Sequence, residues 1–267
     1  NTFPLFLPIL ERSFAKTTNS KEMKHYIDFH EDVSFEDLKY MLEISEEMKA
    51  KTKAGIKHHY LEGKSLAMIF TKSSTRTRVS FEVGMYQLGG QALFLSNNDI
   101  QIGRGETIYD TANVLSGMVD GIMIRTFKHS DIEDLAKYGK IPVINGLSDD
   151  QHPTQALADL LTIKEHKGGL KGLKLAYVGD GNNVTASLLQ ACAKAGMDIS
   201  CASPADYTCG KKYVDQALED AKVSGSKILM TTDPFEACDG ADVIYTDTWT
   251  SMGQESEKAS RVEIFKN

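Results

Sequence analysis

The stretch SLAMIFTKSSTRTR, residues 65–78, decides the fold of this chain. Its first six residues have the length and apolar character of a buried strand. The apolar residues between Val79 and Leu88 recur at helical spacing, and Gly89-Gly90 ends that helix. A strand that leads directly into a helix is typical of a parallel α/β sheet.

The connection between this strand and helix is rich in hydrogen-bond donors. Arg76 and Arg78 carry planar guanidinium groups that match phosphate oxygens, and Ser74, Thr75 and Thr77 carry hydroxyls. Unpaired backbone N–H groups at a helix N-terminus attract anions as well. An ordinary N-terminal cap with solvated arginines is the alternative. The succession of donors favours an anion site.

The composition restricts the classes of partner. The chain has 267 residues, enough for two medium-sized α/β domains or one large domain, and a net charge of −7. Basic and acidic residues are interspersed, so neither nucleic acid nor an anionic membrane is expected. No apolar stretch approaches the roughly 20 residues of a membrane helix. The four cysteines lack metal-ligand spacing, which predicts buried reduced thiols and no metal site.

Three segments are predicted. Residues 1–22 form an N-terminal arm whose two prolines break any helix, and they lack a secretory cleavage site. An organellar leader remnant, an added segment and a family-specific arm all remain open for it. Residues 23–166 form a first domain and residues 167–267 a second, because glycines and lysines interrupt the pattern between Lys167 and Gly172.

The first domain places polar residues where its strands end. Arg125 follows the apolar strand 121–124, at the edge where α/β sheets bind ligands. His152 and Gln155 lie three apart in the first turn of a helix over residues 152–161, so they can face one cleft. A solvated strand end and a histidine that caps its own helix are the alternatives. Other elements are predicted as a helix through 38–48 with a capping box of Ser34 and Asp37, strands 92–95 and 141–145, and a helix over 107–118.

The second domain repeats the strand–turn–helix plan. Strands are predicted at 173–178, 199–203, 227–230 and 242–245, with helices ending at Gly196 and over 211–222. The glycine-containing turn at 179–184 is similar to a dinucleotide-binding turn, but Val184 stands where a third glycine is expected. Dinucleotide binding is therefore not favoured. The chain's one tryptophan, Trp249, follows the last strand, either at a ligand edge or buried. The predicted fold class is therefore α/β, with two doubly wound parallel-sheet domains.

These motifs together resemble the aspartate/ornithine transcarbamylase family over nearly all of residues 24–267. Ser-Thr-Arg-Thr-Arg at 74–78, Gly-Glu-Thr at 105–107 and His-Pro-x-Gln at 152–155 are shared by its aspartate, ornithine and putrescine members. Gly-Asp-Gly-Asn-Asn at 179–183 and Asp-x-Trp-x-Ser-Met-Gly-Gln-Glu at 247–255 are typical of the members that use ornithine. Residues 23–28 look more like putrescine enzymes.

The resemblance implies a carbamoyltransferase without a cofactor or metal. Carbamoyl phosphate is expected on the first domain, with Ser74, Thr75, Arg76 and Thr77 at the phosphate. Arg125, His152 and Thr77 are expected at its carbonyl oxygen and Gln155 at its amino group. The residues expected to be catalytic are Arg76, Arg125, His152 and Gln155.

L-Ornithine is expected on the second domain, with Asp247 at the α-ammonium and Asn183 at the carboxylate. Ser251 and Met252 are expected to close over it, and domain closure to exclude water. The resemblance further implies a cytoplasmic homotrimer, or a multiple of trimers.

One departure from the family leaves alternatives open. Family members continue with a His-Cys-Leu-Pro loop and a C-terminal helix, whereas this sequence ends at Asn267. A fragment is favoured over an inactive protein. A transferase for putrescine or another amine, and a non-catalytic homologue that binds carbamoyl phosphate, are the alternative functions.

Overall fold

The computed structural model describes residues 25–98, 100–102, 105–250 and 255–266. The chain divides into two compact units, which meet in sequence between Leu161 and Thr162. The first unit contains the following elements: α1 (Phe29–Asp32), α2 (Phe35–Lys53), β1 (Ser65–Phe70), α3 (Thr75–Gln87), β2 (Gln91–Ser96), α4 (Ile108–Ser116), β3 (Gly121–Arg125), α5 (His129–Tyr138), β4 (Val143–Leu147) and the start of α6 (Pro153–Lys167). The second contains the end of α6 and β5 (Lys174–Val178), α7 (Asn183–Ala195), β6 (Asp198–Ala202), a 3-10 turn (Ala205–Tyr207), α8 (Lys211–Ser224), β7 (Ile228–Thr231), α9 (Pro234–Cys238), β8 (Val243–Tyr245), a second 3-10 turn (Glu255–Glu257) and α10 (Lys258–Phe265).

The first unit is built on a parallel sheet with the strand order β2-β1-β3-β4. The sequence order runs outward from β1 to β2 on one side and from β3 to β4 on the other. Between β1 and β3 the direction therefore reverses, and such switch points are where open α/β sheets bind ligands. A core of fully buried side chains packs on this sheet, formed by Ala67, Ile69, Ala112, Ile122, Ile124, Ile132, Leu135 and Val143.

The pairing of β3 with β4 contains a bulge beside the switch point. Ile124 is opposite Asn145, but the next residue, Arg125, is opposite Leu147. Gly146 is the extra residue, and a Cβ at this position would lie 2.5 Å from Met123 Sδ. A bulge re-aims the side chains that follow it on its own strand, so Leu147 comes to lie opposite Arg125 where regular pairing would place residue 146.

The second unit has a parallel sheet with the order β7-β6-β5-β8, which confirms the predicted α/β class. Its direction reverses between β5 and β8, so the turn after β5 and the segment after β8 flank its switch point. Gly181 lies in that turn, and a Cβ there would approach the backbone nitrogen of Cys209 to 2.1 Å. The turn therefore requires glycine for a close backbone approach.

Several sequence expectations need correction. Helix α3 begins at Thr75, not at Val79, because Ser74 caps it. Strand β4 begins at Val143, two residues later than predicted. Helices α1, α5, α9 and α10 are not predicted from the sequence, although α5 is amphipathic over its ten residues. Trp249 is 37% exposed, so the interpretation of a buried tryptophan is wrong.

Other expectations are confirmed. Both hydrogen bonds of the predicted capping box between Ser34 and Asp37 form at the start of α2. Cys192, Cys201 and Cys209 are buried free thiols, whereas Cys238 is only half-buried. Within the described ranges, no helix is both long and apolar enough to cross a membrane.

Candidate functional site

The Ser-Thr-Arg segment forms the first turn of α3 at the switch point of the first sheet. Ser74 is the N-cap, and its Oγ accepts a hydrogen bond from the Thr77 backbone N–H at 3.2 Å. The Ser74 hydroxyl also lies 3.1 Å from Thr77 Oγ1, and Arg125 Nη1 donates to the same oxygen at 3.2 Å. The structure thus brings Arg125, at the end of β3, to two residues of the Ser-Thr-Arg motif. The capping role of Ser74 is confirmed, and anion binding at this turn remains a prediction.

The two arginines of the segment differ in their surroundings. Arg78 donates from Nε to Glu82 Oε1 at 3.1 Å and stacks over the Phe94 ring at 3.6 Å. Its guanidinium is therefore held on the flank of α3. Thr75 and Arg76 are exposed in the first helical turn, where the positive end of the helix dipole attracts anions.

Arg125 is the last residue of β3 and is 93% buried, with a relative exposure of 7%. Burial, and next the positive charge of Arg76, lower the pKa of Arg125 to about 10, so it stays cationic at neutral pH. Its Nε is buried without a hydrogen-bond partner among the described residues. A buried donor without a partner is costly, which is the arrangement expected where a ligand oxygen binds.

His152 stands at the start of α6, where its backbone carbonyl accepts from the N–H of Gln155 at 3.1 Å. Burial, then the charges of Arg125 and Lys72, lower the pKa of His152 to about 3. The imidazole is therefore neutral at physiological pH, with one N–H on the ring, and its Nδ1 lies 3.3 Å from Thr154 Oγ1.

Lys72 is a residue that the sequence reasoning missed. Its side chain is buried, its Nζ lies 3.1 Å from Asp149 Oδ1, and it stands 4.9 Å from the centre of the Phe127 ring. Its influence on the pKa of His152 places its charge close to the site. The signal that could have found it is its position inside the strand-to-helix segment, six residues before Arg78.

Gln155 occupies the first turn of α6, as predicted. Its Nε2 donates to Asp159 Oδ1 at 3.0 Å, one helical turn further on. The amide is therefore oriented by its own helix. Within the ranges that the structure describes, its carbonyl oxygen and its second N–H make no hydrogen bond, which is compatible with the expected position beside a carbamoyl group.

The second unit brings the turn after β5 and the segment after β8 together at its own switch point. Asp180 in the turn accepts at its backbone carbonyl from Tyr177 Oη at 2.7 Å and from Thr185 Oγ1 at 2.9 Å. Asn182 caps α7 and also donates from Nδ2 to Asp247 Oδ2 at 3.0 Å. The predicted partner Asn183 is the first residue of α7. Asn182 is thus a second residue that sequence reasoning missed.

Arg261, on α10, joins these same two segments. Its Nη1 donates to Asp180 Oδ2 at 2.8 Å and to the Trp249 carbonyl at 3.3 Å, and its Nε donates to Glu257 Oε2 at 2.9 Å. Burial raises the pKa of Asp180, and the nearby carboxylates of Asp247 and Glu257 act in the same direction against the attraction of Arg261. One buried cation therefore compensates several carboxylates around the turn.

Aromatic rings pack beside these contacts of Arg261. The Arg261 guanidinium lies 4.9 Å from the Tyr207 ring centre, and Phe265 packs between Tyr207 at 5.1 Å and Trp249 at 5.9 Å. Ser251 and Met252 lie outside the described residues. Within the described ranges, no group of three His, Cys, Asp or Glu side chains is arranged to hold a metal ion.

Two family models match the chain and together cover most of it. The model described as "Aspartate/ornithine carbamoyltransferase, carbamoyl-P binding domain" matches residues 24–165. The model described as "Aspartate/ornithine carbamoyltransferase, Asp/Orn binding domain" matches residues 171–267.

Individual relatives are similar over most of the chain. An ornithine carbamoyltransferase from Bacillus subtilis is 59% identical over 238 residues, which are 88% of this chain and 72% of that protein. One from Anoxybacillus flavithermus is 58% identical over 234 residues, which are 88% of this chain and 74% of that protein. The solved structure of the enzyme from Pyrococcus furiosus is 52% identical, with a TM-score of 0.87 over 91% of this chain and 77% of that one.

Proposed function

This chain belongs to the aspartate/ornithine carbamoyltransferase family, and we propose that it transfers the carbamoyl group of carbamoyl phosphate to the side-chain amine of L-ornithine. The products are citrulline and phosphate. The observation that carries the proposal is the convergence of Ser74, Thr77 and Arg125 at the switch point of the domain that matches the carbamoyl phosphate-binding model. The names of relatives at 58% and 59% identity support ornithine as the acceptor.

The first step of the proposed mechanism is binding of the phosphate group at the N-terminus of α3. Ser74, Thr75, Arg76 and Thr77 surround it. Thr77 Oγ1 accepts bonds from Ser74 and Arg125, so the proton of the Thr77 hydroxyl points away from both and can be donated to the substrate. The helix dipole and the arginines stabilise the negative charge of the phosphate.

Carbamoyl transfer then depends on electrostatic stabilisation. The neutral ornithine amine attacks the carbonyl carbon, a C–N bond forms, and negative charge develops on the carbonyl oxygen. Arg125 and the N–H of neutral His152 donate to that oxygen, and Gln155 orients the amino group. The bond from the carbonyl carbon to the phosphate oxygen then breaks, and the departing phosphate accepts the proton that the nitrogen loses.

The second unit holds the amino-acid end of ornithine in this proposal. Asp247 pairs with the α-ammonium, and its carboxylate is already oriented by Asn182 at 3.0 Å. Asn183 binds the carboxylate, and Ser251 and Met252 close over the substrate. The side-chain amine is thereby left available for attack. Family resemblance also supports a cytoplasmic homotrimer, which light scattering of the purified protein would test by a mass three times that of the chain.

The test of this proposal is citrulline formation from carbamoyl phosphate and L-ornithine, with putrescine and aspartate assayed in parallel. We expect turnover with ornithine alone. Turnover with putrescine alone would show that the segment after β8 was misinterpreted. Binding of carbamoyl phosphate without turnover of any amine would favour a non-catalytic homologue.

A further inference from the structure

We propose that His129 is a positioning residue for His152 and acts through the hydroxyl of Ser148. The inference rests on the proposed function, because His152 is assigned there to the carbonyl oxygen of carbamoyl phosphate. His129 is the first residue of α5 and is 8% exposed. It lies outside the motifs that carry the family resemblance.

The turn that precedes His152 is closed by Ser148. The Ser148 backbone N–H donates to the Gln151 carbonyl at 2.8 Å, and its Oγ accepts from the N–H groups of Gln151 at 3.1 Å and Asp150 at 3.3 Å. Both Ser148 and Gln151 are fully buried. The Ser148 hydroxyl therefore helps to fix the conformation of the backbone that leads into His152.

The hydroxyl is fixed in turn by His129. The Ser148 Oγ lies 2.8 Å from His129 Nδ1 and 3.4 Å from the Gln151 carbonyl oxygen. Because Oγ already accepts two N–H groups, its own proton is best donated to the nearer acceptor, Nδ1. This arrangement places a ring proton of His129 on Nε2, 3.9 Å from Glu133 Oε1.

Backbone hydrogen bonds connect this turn to the segment that begins at Arg125. The segment from Arg125 to His129 is bonded to the end of β4 and the turn, since Thr126 N–H donates to the Leu147 carbonyl at 3.0 Å and Asp149 N–H to the Phe127 carbonyl at 2.9 Å. Arg125 and His129 stand at the two ends of this segment. The hydrogen bond from Ser148 to His129 thus fixes His152 relative to Arg125, the two groups assigned to one substrate oxygen.

An ordinary buried histidine would give the same contacts without an effect on catalysis, so the test must separate stability from positioning. We expect His129→Leu to lower kcat by roughly 10- to 100-fold, because displacements of the order of 1 Å at reacting groups have effects of this size. The KM for ornithine and the calorimetric affinity for carbamoyl phosphate should change less than about twofold, since α3 is untouched. His129→Gln should restore most of kcat, because its amide oxygen can accept from Ser148.

Ser130→Ala is the matched control, since Ser130 is the exposed neighbour of His129 in α5, and it should leave kcat unchanged. The proposal is overturned if His129→Leu keeps the kcat of the parent. It is overturned equally if His129→Leu and His129→Gln lose kcat, carbamoyl phosphate affinity and thermal stability together, because that pattern indicates a structural role.

Nitrogen-15 NMR of the imidazoles tests the contact independently of turnover. We expect the proton of His129 on Nε2 in the full chain, a change in its Nδ1 signal in Ser148→Ala, and a shift of the His152 ring signals in His129→Leu but not in Ser130→Ala. A proton on Nδ1 of His129, or unchanged His152 signals, would overturn the inference. A protein inactive with ornithine but with the expected NMR shifts would contradict the proposed function while supporting the link between these histidines.

Discussion

The two units share a plan of four parallel strands with a switch point, but they hold the segments at that point by different forces. In the first unit, Ser74 and Ser148 order the loops by accepting neutral hydrogen bonds from backbone N–H groups, while Arg76 is exposed and the Nε of Arg125 has no partner among the described residues. In the second unit, the cation Arg261 itself holds the loops, because its guanidinium is bound to the Asp180 carboxylate. The difference is consistent with the proposal that the first site binds an anion, because its cations are less engaged than Arg261 of the second unit.

The largest effect is expected from Arg261→Leu. It leaves Asp180 buried without its partner, which should lower the free energy of unfolding of the second unit by about 3 kcal/mol and raise the KM for ornithine. Urea unfolding followed by emission of Trp249, the one tryptophan of the chain, measures this. The double variant Asp180→Asn/Arg261→Leu should recover part of the loss, because no unpaired charge remains. Parent-like unfolding of Arg261→Leu would remove the contrast between the units.

The next effect concerns the anion site. Arg76→Ala should weaken carbamoyl phosphate binding by about 100-fold, or ~2.7 kcal/mol, since a charge-assisted contact is lost. Arg78→Ala is the matched control, because Arg78 is bound to Glu82 and Phe94, and it should change the affinity less than threefold. Calorimetry with carbamoyl phosphate measures both. Equal losses would show that the site recognises charge without a specific geometry.

A pair of glycine substitutions compares the two switch points directly. Gly181→Ala should lower the free energy of unfolding by about 3 kcal/mol, because the new Cβ meets the backbone of Cys209 at 2.1 Å. Gly146→Ala should cost about 1 kcal/mol, because its nearest obstacle is the side-chain sulfur of Met123. Urea unfolding by circular dichroism and by Trp249 emission gives both values. A reversed order would mean that the first unit is the more rigid at its switch point.

The smallest effect is expected at Asp32, a carboxylate that orders a segment of the first unit. Asp32 Oδ2 accepts from the Ile27 N–H at 2.7 Å and the Asp28 N–H at 3.2 Å, while burial raises the pKa of Asp32 to about 6. A raised carboxyl pKa means that its contribution is full below about pH 4 and is lost as the pH rises to about 6. Asp32→Asn should therefore flatten that slope and raise the free energy of unfolding at pH 7 by roughly 1 kcal/mol. Glu36→Gln is the control, because Glu36 is exposed and is not among the charges that raise the pKa of Asp32, and it should leave the slope unchanged.

Local signals explain what the sequence could predict. Ser34 with Asp37, and Ser74 before α3, act within one helical turn, so their capping follows from residue type and spacing alone. The apolar runs of the buried strands are equally local. Arg125 and His152 could be placed at strand and helix ends, because parallel strands bring their carboxyl ends to one edge of a sheet.

The remaining features depend on contacts between distant positions. Arg261 meets Asp180 across 81 positions of the chain, and nothing near Arg261 in the sequence indicates such a partner. Asn182 and Asn183 are adjacent and chemically identical, so only the start of α7 shows which one caps the helix and bonds to Asp247. The start of α3 was misplaced because Thr75 and Arg76 were assigned to the loop before the helix.

The bulge at Gly146 changes which side of the sheet the following residues of β4 face. Along a regular strand, odd and even positions face opposite sides of the sheet, and one additional residue exchanges the two sets for everything that follows. If Gly146 were paired with Arg125 as in a regular ladder, Leu147 and Ser148 would each face the opposite side of the sheet. The phase of the last residues of this strand therefore depends on one irregularity of the backbone and not on the apolar pattern alone.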